Sequence, residues 1–105
     1  MIIPQKLEKS NIQNQVVRFL IDFSEKENVI DSKTISRRFD ISRQDVRAIV
    51  NSARSNGIPI CSTRWCYYYS TDREEIQRTV NSLRGRIHAI NKAIDGMNEY
   101  MEGVS

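Results

Sequence analysis

Apolar positions recur along this chain with three different spacings. From Asn11 onward Ile12, Val16, Val17, Leu20, Ile21 and Phe23 return at helical intervals, with Gln13, Asn14, Arg18 and Asp22 between them. That spacing predicts a helix over about residues 11–25 with its apolar face in the core. The run Glu25-Lys26-Glu27-Asn28 reads as a charged loop, followed by a short apolar step at Val29 and Ile30. Asp31 or Ser32 then caps a second helix of about two turns, in which Ile35 and Phe39, four residues apart, point inward. Asp40 sits where the chain must reverse, and Asp tolerates the left-handed conformation of such a corner better than most residues. Ile41 plugs the corner, and Ser42 caps a third helix that Gly57 closes. Along it Val46, Ile49, Val50 and Ala53 fall on one side, and Arg43, Arg47, Asn51 and Arg54 on the other.

After Gly57 the pattern becomes that of strands. Ile58-Pro59-Ile60-Cys61 reads as one strand, with Pro at an edge position, and Trp65-Cys66-Tyr67-Tyr68-Tyr69 as a second. Ser62, Thr63 and Arg64 connect them, so the two form a hairpin with Thr63 and Arg64 at its tip. Cys61 and Cys66 then face each other as cross-strand neighbours, and Trp65 either packs at the hairpin's base, the preferred reading, or stacks outward.

The third spacing is a heptad. Thr71 and Glu74 make a capping box that starts a new helix, along which Ile76, Val80, Leu83, Ile87, Ile90, Ile94, Met97 and Met101 step alternately by four and three. A helix of about 30 residues is ~45 Å long, more than a 70-residue domain is wide, so the far half of this stripe needs a partner. A second copy of the chain is the expected partner, in a dimer first, although β-branched residues at both seam positions are compatible with trimers and tetramers. The flanking positions (Gln77, Arg84, Asn91, Asn98 and Thr79, Arg86, Ala93, Tyr100) offer no complementary charge pairs and leave the helix orientation open. Gly85, Gly96 and His88 fall on the outward side.

The chain therefore divides into an N-terminal arm (1–10), a small domain (11–70) and a C-terminal oligomerisation helix (71–105). The expected fold class is mainly α with a small β-hairpin. A two-turn helix, a tight corner and a capped helix with a basic outer stripe constitute a helix-turn-helix arrangement. Over about residues 29–60 the spacing of Ile35, Phe39, Ile41, Ser42, Val46 and Ile49 resembles the helix-turn-helix of winged-helix families such as biotin repressors and DeoR-like regulators. Those families usually carry a small residue and then Gly around the turn, where this chain has Ser36 and Asp40. The stretch from Gly57 through Tyr69, with the acidic helix start after it, also resembles small phage-encoded winged-helix proteins, many of which have Gly where Cys66 stands. The resemblance implies a winged helix-turn-helix followed by a long coiled-coil helix, with the hairpin as the wing.

Charge fits that expectation. The net charge is +3 and the pI about 9.1, and residues 1–70 carry a surplus of +4 while the remainder nets −1. Basic character is concentrated where the third helix lies. Arg43, Gln44, Arg47 and Asn51, with Ser42 at the helix start, are expected in a DNA major groove, since Arg forks match guanine and Gln or Asn forks match adenine. Lys33, Arg37, Arg38 and Arg54 are assigned to phosphates, and Thr63 and Arg64 at the hairpin tip to an adjacent minor groove or backbone. Asp45 is discordant on such a face, because it repels phosphate unless it pairs with an Arg or accepts from cytosine.

The expected partner is double-stranded DNA, for a dimeric phage or prophage transcriptional regulator or replication-module protein. The competing class is a protein-interaction module whose C-terminal helix docks on a host or replication protein. No enzyme, cofactor or metal is expected. The four glycines form no phosphate loop, no HExxH or paired-carboxylate arrangement occurs, and two cysteines and one distant histidine do not make a zinc site. Glu74 and Glu75 suit the positive end of the helix they begin. No apolar run is long enough for a membrane span and the first residues lack a secretory pattern, so the expected location is the cytoplasm, that of a bacterial host if the chain is phage-encoded.

Overall fold

The computed structural model describes residues 5–104, with side chains described from Ile12 onward. The elements in order are α1 (Gln5–Phe23), β1 (Ile30–Asp31), α2 (Ser32–Phe39), α3 (Arg43–Ser55), β2 (Ile60–Thr63), β3 (Cys66–Tyr69) and α4 (Arg73–Gly103). The protein is mainly helical, with a small antiparallel three-stranded sheet and a long C-terminal helix.

α1 starts earlier than its apolar spacing suggested, within the segment expected to be an arm; residues 1–4 of that arm lie outside the described residues. Val16 and Leu20 are fully buried, but Phe23, expected in the core, is 60% exposed. The last turn of α1 runs past the edge of the core, and Phe23 rests on Phe19 one turn back, ring centroids 5.5 Å apart. Ser24 takes the inward position instead. Its hydroxyl donates to the Leu20 carbonyl and accepts the Tyr69 amide at 2.9 Å, tying α1 to β3.

Local chemistry sets the next three boundaries. Asp31 caps α2, its carboxylate accepting the Thr34 amide at 2.7 Å. Asp40 ends α2 in the left-handed region (φ 52°, ψ 52°), and the Asp40 and Ile41 amides both donate to the Ser36 carbonyl. The Ser36 hydroxyl donates in turn to the Ile41 carbonyl, so the serine at this corner closes the turn rather than merely fitting it. α3 ends in a Schellman arrangement: Gly57 (φ +84°) donates to the Arg54 carbonyl and Ile58 to that of Ala53, both at 3.0 Å.

The core joins Val16 and Leu20 of α1, Ile35 of α2, Val46, Ile49, Val50 and Ala53 of α3, and Ile60 of β2. Each of the larger aliphatic side chains sealed there contributes about 1.5–3 kcal/mol through removal from water.

The sheet has the order β1-β3-β2 and two working faces. The sequence pattern predicts two strands; the third, β1, is only two residues long and pairs Ile30 with Tyr67 and Asp31 with Cys66. Partner residues are Ile60 and Tyr69, Cys61 and Tyr68, Ser62 and Tyr67, Thr63 and Cys66. Cys61 and Cys66 are therefore not directly opposed, contrary to expectation, because β2 is shifted two residues later than the sequence pattern suggested and β3 starts one later, leaving Arg64 and Trp65 as the connection. Both thiols are free, and burial pushes that of Cys61 up from its ordinary pKa. Side chains alternate across a strand, so Ile60 and Tyr67 face the helical core while buried Cys61 and Tyr68 face the start of α4.

α4 begins one residue later than the expected Thr71 cap. Asp72 accepts the Glu75 amide, and its own amide donates to the Ser70 hydroxyl. Asp is a stronger N-cap than Thr, and its full negative charge suits the positive end of a helix. Glu75 and Thr79 are buried against the sheet, and Ile76, Val80 and Leu83 half-buried. Beyond them the helix leaves the body. The radius of gyration, 17.3 Å, exceeds the ~13 Å of a compact chain of this length, and the long axis is 58 Å.

Candidate functional site

The outward face of α3 is the most coherent candidate. Arg43, Gln44, Arg47 and Asn51 are all exposed, and none of their side chains takes part in a hydrogen bond within the described residues. The rigid corner before α3 fixes where its first turn points, and Val46, Ile49 and Val50 anchor the opposite side in the core.

Ser42 and Asp45 form a reciprocal capping box there. The Asp45 amide donates to the Ser42 hydroxyl at 2.9 Å, and the Ser42 amide donates to the Asp45 carboxylate at 3.2 Å. Asp45, the discordant acid of the sequence, thus has a structural occupation. Asp31 is engaged likewise in capping α2. Its carboxyl is held below the ordinary range first by its hydrogen bonds to Thr34, and further by the nearby charges of Lys33 and Arg43. Asp31 and Asp45 therefore both serve helix ends.

The hairpin tip adjoins this region. The Ser32 amide donates to the Trp65 carbonyl at 3.0 Å, which ties the tip to the start of α2, beside Lys33. Arg64 adopts a left-handed backbone (φ 51°), a conformation that costs a non-glycine residue roughly 1 kcal/mol. Trp65, expected to pack at the hairpin's base, is instead 75% exposed at the tip. The reason is the connection itself: with only Arg64 and Trp65 between the strands, neither side chain has a layer to enter. Thr63 is exposed beside them. Trp65 is the member of this surface that sequence reasoning set second, preferring packing to outward stacking, and the signal for the outward place was its position next to Arg64 between strand-like runs.

Lys33 and Arg37, four apart on α2, are exposed as expected. Two of the assigned cations are elsewhere. Arg38 lies over the Phe19 ring at 4.5 Å and within 5.9 Å of Phe39, a cation–π position against α1. Arg54 turns under α3: its Nε donates to the Ile60 carbonyl at 2.8 Å, and one guanidinium nitrogen is sealed from solvent without a partner among the described residues. Burial lowers its pKa. The stripe reading put Arg54 on the open side of α3, but its long side chain follows the helix end down onto β2.

A second polar cluster joins α4 to the body. The Tyr68 hydroxyl donates to the buried Glu75 carboxylate, which pairs with Lys26 at 3.0 Å and with Arg78 at 3.7 Å. The Tyr68 hydrogen bond, then Lys26, hold the Glu75 carboxyl below its ordinary pKa, while burial pushes the Tyr68 phenol up. This cluster reads as a fastening, since Tyr68 of β3 and Lys26 of the loop after α1 both meet Glu75 of α4. Helix-end electrostatics, the reason the sequence suggested for Glu75, is the smaller part of its role.

Among the described residues no group of three His, Cys, Asp or Glu side chains could hold a metal ion, and no helix is long and apolar enough to cross a membrane. Comparison with protein families, with characterised proteins and with solved structures finds no match.

Proposed function

We propose that this chain is a winged helix-turn-helix protein that binds double-stranded DNA, with α3 as the recognition helix and the β2–β3 hairpin as the wing. The observation that carries the reading is the exposed fork-bearing row Arg43, Gln44, Arg47 and Asn51 on a helix whose opposite side is locked in the core. Gln44 and Asn51 suit adenine edges, and Arg43 and Arg47 guanine edges or phosphate. Lys33 and Arg37 contact the backbone beside the groove. Arg64 and Trp65 at the tip meet the neighbouring strand or minor groove, Arg64 as a cation and Trp65 as a flat apolar surface. Arg38 and Arg54 are left out of this interface. The resemblance to small phage-encoded winged-helix proteins extends the proposal to a phage or prophage transcriptional regulator or replication-module protein, acting in the bacterial cytoplasm.

Fluorescence anisotropy with a random-sequence duplex tests it. Five cations on this face (Lys33, Arg37, Arg43, Arg47 and Arg64) correspond to a log–log salt slope on the order of −4 to −5 per bound copy if each meets one phosphate. Arg37→Ala then lowers the slope by about 1. Arg43→Ala with Arg47→Ala weakens binding to all sequences, whereas Asn51→Ala relaxes preference at one base position of a site selected from a random pool. Absence of binding at low salt refutes the proposal.

A further inference from the structure

The face of α4 that rests on the sheet is centred on Glu75 and Thr79, and the apolar stripe runs along the flank of that contact. Ile76, Val80 and Leu83 are half-buried where the helix crosses β2. At 100° per residue the same direction continues through Ile87, Ile90, Ile94, Met97 and Met101, which are 58, 60, 49, 72 and 61% exposed. The first three of the eight seam residues expected to oligomerise thus serve the chain's own body. Residues 87–104, about 27 Å of helix, remain bare.

We infer that α4 pairs with a second copy of itself in antiparallel orientation over residues 87–104, with the two bodies at opposite ends of the pair. The body itself sets the direction. In a parallel pair the two stripes face each other, and both bodies compete for the space between the helices at the level of Ile76 to Leu83. In an antiparallel pair each body sits beyond the end of the other helix, and the partner's last turn stops where the body begins. Ile94 of one copy then lies beside Met97 of the other, Ile90 beside Met101, and Ile87 beside Val104, itself 62% exposed.

Charge adds a weaker, longer-range preference, because the charged positions of this segment lie off the seam. In the antiparallel register Lys92 of one copy lies level with Glu99 of the other, whereas parallel copies set Lys92 level with Lys92 and Glu99 with Glu99. The helix dipoles also oppose. Covering the stripe removes on the order of 600 Å² per copy, about 1,200 Å² for the pair, the lower bound of stable specific interfaces. Gly85, Gly96 and Gly103 have nothing within 4 Å of an added Cβ in the single chain, so none of them is required by a contact inside the monomer. The pairing is independent of what the basic face binds.

Sedimentation equilibrium of the full chain at tens of micromolar gives twice the 12.2 kDa chain mass. Ile90→Asp with Ile94→Asp weakens association roughly 10³-fold or more, since two carboxylates from each copy enter an apolar seam. Both positions are exposed in the single chain, so the circular dichroism of the body persists. Orientation is read by placing the photo-crosslinking residue p-benzoylphenylalanine at Val104. Crosslinks mapped by mass spectrometry fall around Ile87 in the antiparallel pair and at residues 101–104 in a parallel one. A monomer at that concentration, a trimer or tetramer mass, or crosslinks confined to 101–104 each overturns the inference.

Discussion

Asp45 faces solvent in the middle of a basic surface, and Ser42→Ala, Asp45→Ala and their combination separate the structural account of that acid from a base-reading one. The Ser42 hydroxyl accepts the Asp45 amide at 2.9 Å, so Ser42→Ala leaves one amide at the start of α3 to water. A lost N-cap serine costs about 1 kcal/mol. Asp45→Ala removes the reciprocal acceptor of the Ser42 amide at 3.2 Å, together with a negative charge at the positive end of α3, for about 0.5–1 kcal/mol. The two residues bond to each other, so their losses are coupled and the double substitution costs less than the sum of about 1.5–2 kcal/mol. For a domain of this size 1 kcal/mol moves the thermal midpoint by about 4–8 °C. Thermal unfolding by circular dichroism at one fixed protein concentration reads these shifts, the concentration mattering because association raises the midpoint. Duplex binding supplies the second readout. One charge at about 10 Å in water is worth roughly 0.4 kcal/mol, so Asp45→Ala tightens random-duplex binding about twofold while lowering the midpoint. An Asp45 that accepts from cytosine behaves the other way. An unchanged midpoint with weaker binding to a selected site refutes the capping account.

Two further outcomes follow from other parts of the fold. Glu75 has its carboxyl held below the ordinary value by Tyr68 and Lys26, so it adds stability at neutral pH that is lost as pH falls through its folded-state value. Glu75→Gln keeps an acceptor for Tyr68 but loses Lys26 and Arg78; its thermal midpoint is lower at pH 7 and falls less between neutrality and acid than the parent's, and an equal fall in both chains refutes the role assigned to the pair. Asp40 is held at φ 52°, where glycine is unhindered, so Asp40→Gly raises stability by about 0.5 kcal/mol in urea titration with the slope unchanged, and a drop in midpoint shows that the aspartate makes a compensating contact.

Features that depend on near neighbours along the chain are legible in its sequence. The corner from Ser36 to Ser42 is one case, because a left-handed Asp, a plug and a cap are chosen by residues within a turn of one another. The inward side of α3 is another, since helix periodicity alone selects Val46, Ile49, Val50 and Ala53. The same periodicity marks Arg54 as outward and fails there, because a long side chain at a helix end can follow the backbone down to whatever lies beneath it. What lies beneath is β2, joined to α3 by a turn whose direction periodicity does not encode. Trp65 fails for a related reason: strand propensity assigns it to β3, whereas the register set by the Thr63–Cys66 pair leaves it in the connection.

The sequence by itself determined four helices, a hairpin, the Ser42 cap of α3, and an apolar stripe on the last helix too long for one small domain. Each of these follows from residues a turn or a strand pair apart. Tertiary structure alone decided that β1 completes the sheet, that Glu75 and Tyr68 fasten α4 to it, and that Arg38 and Arg54 leave the basic face. It also decided that the first third of the stripe is spent on the chain's own body and the rest is bare. These outcomes depend on which face of the sheet meets which helix, a long-range choice made by the summed burial of the whole core, and no local spacing carries it.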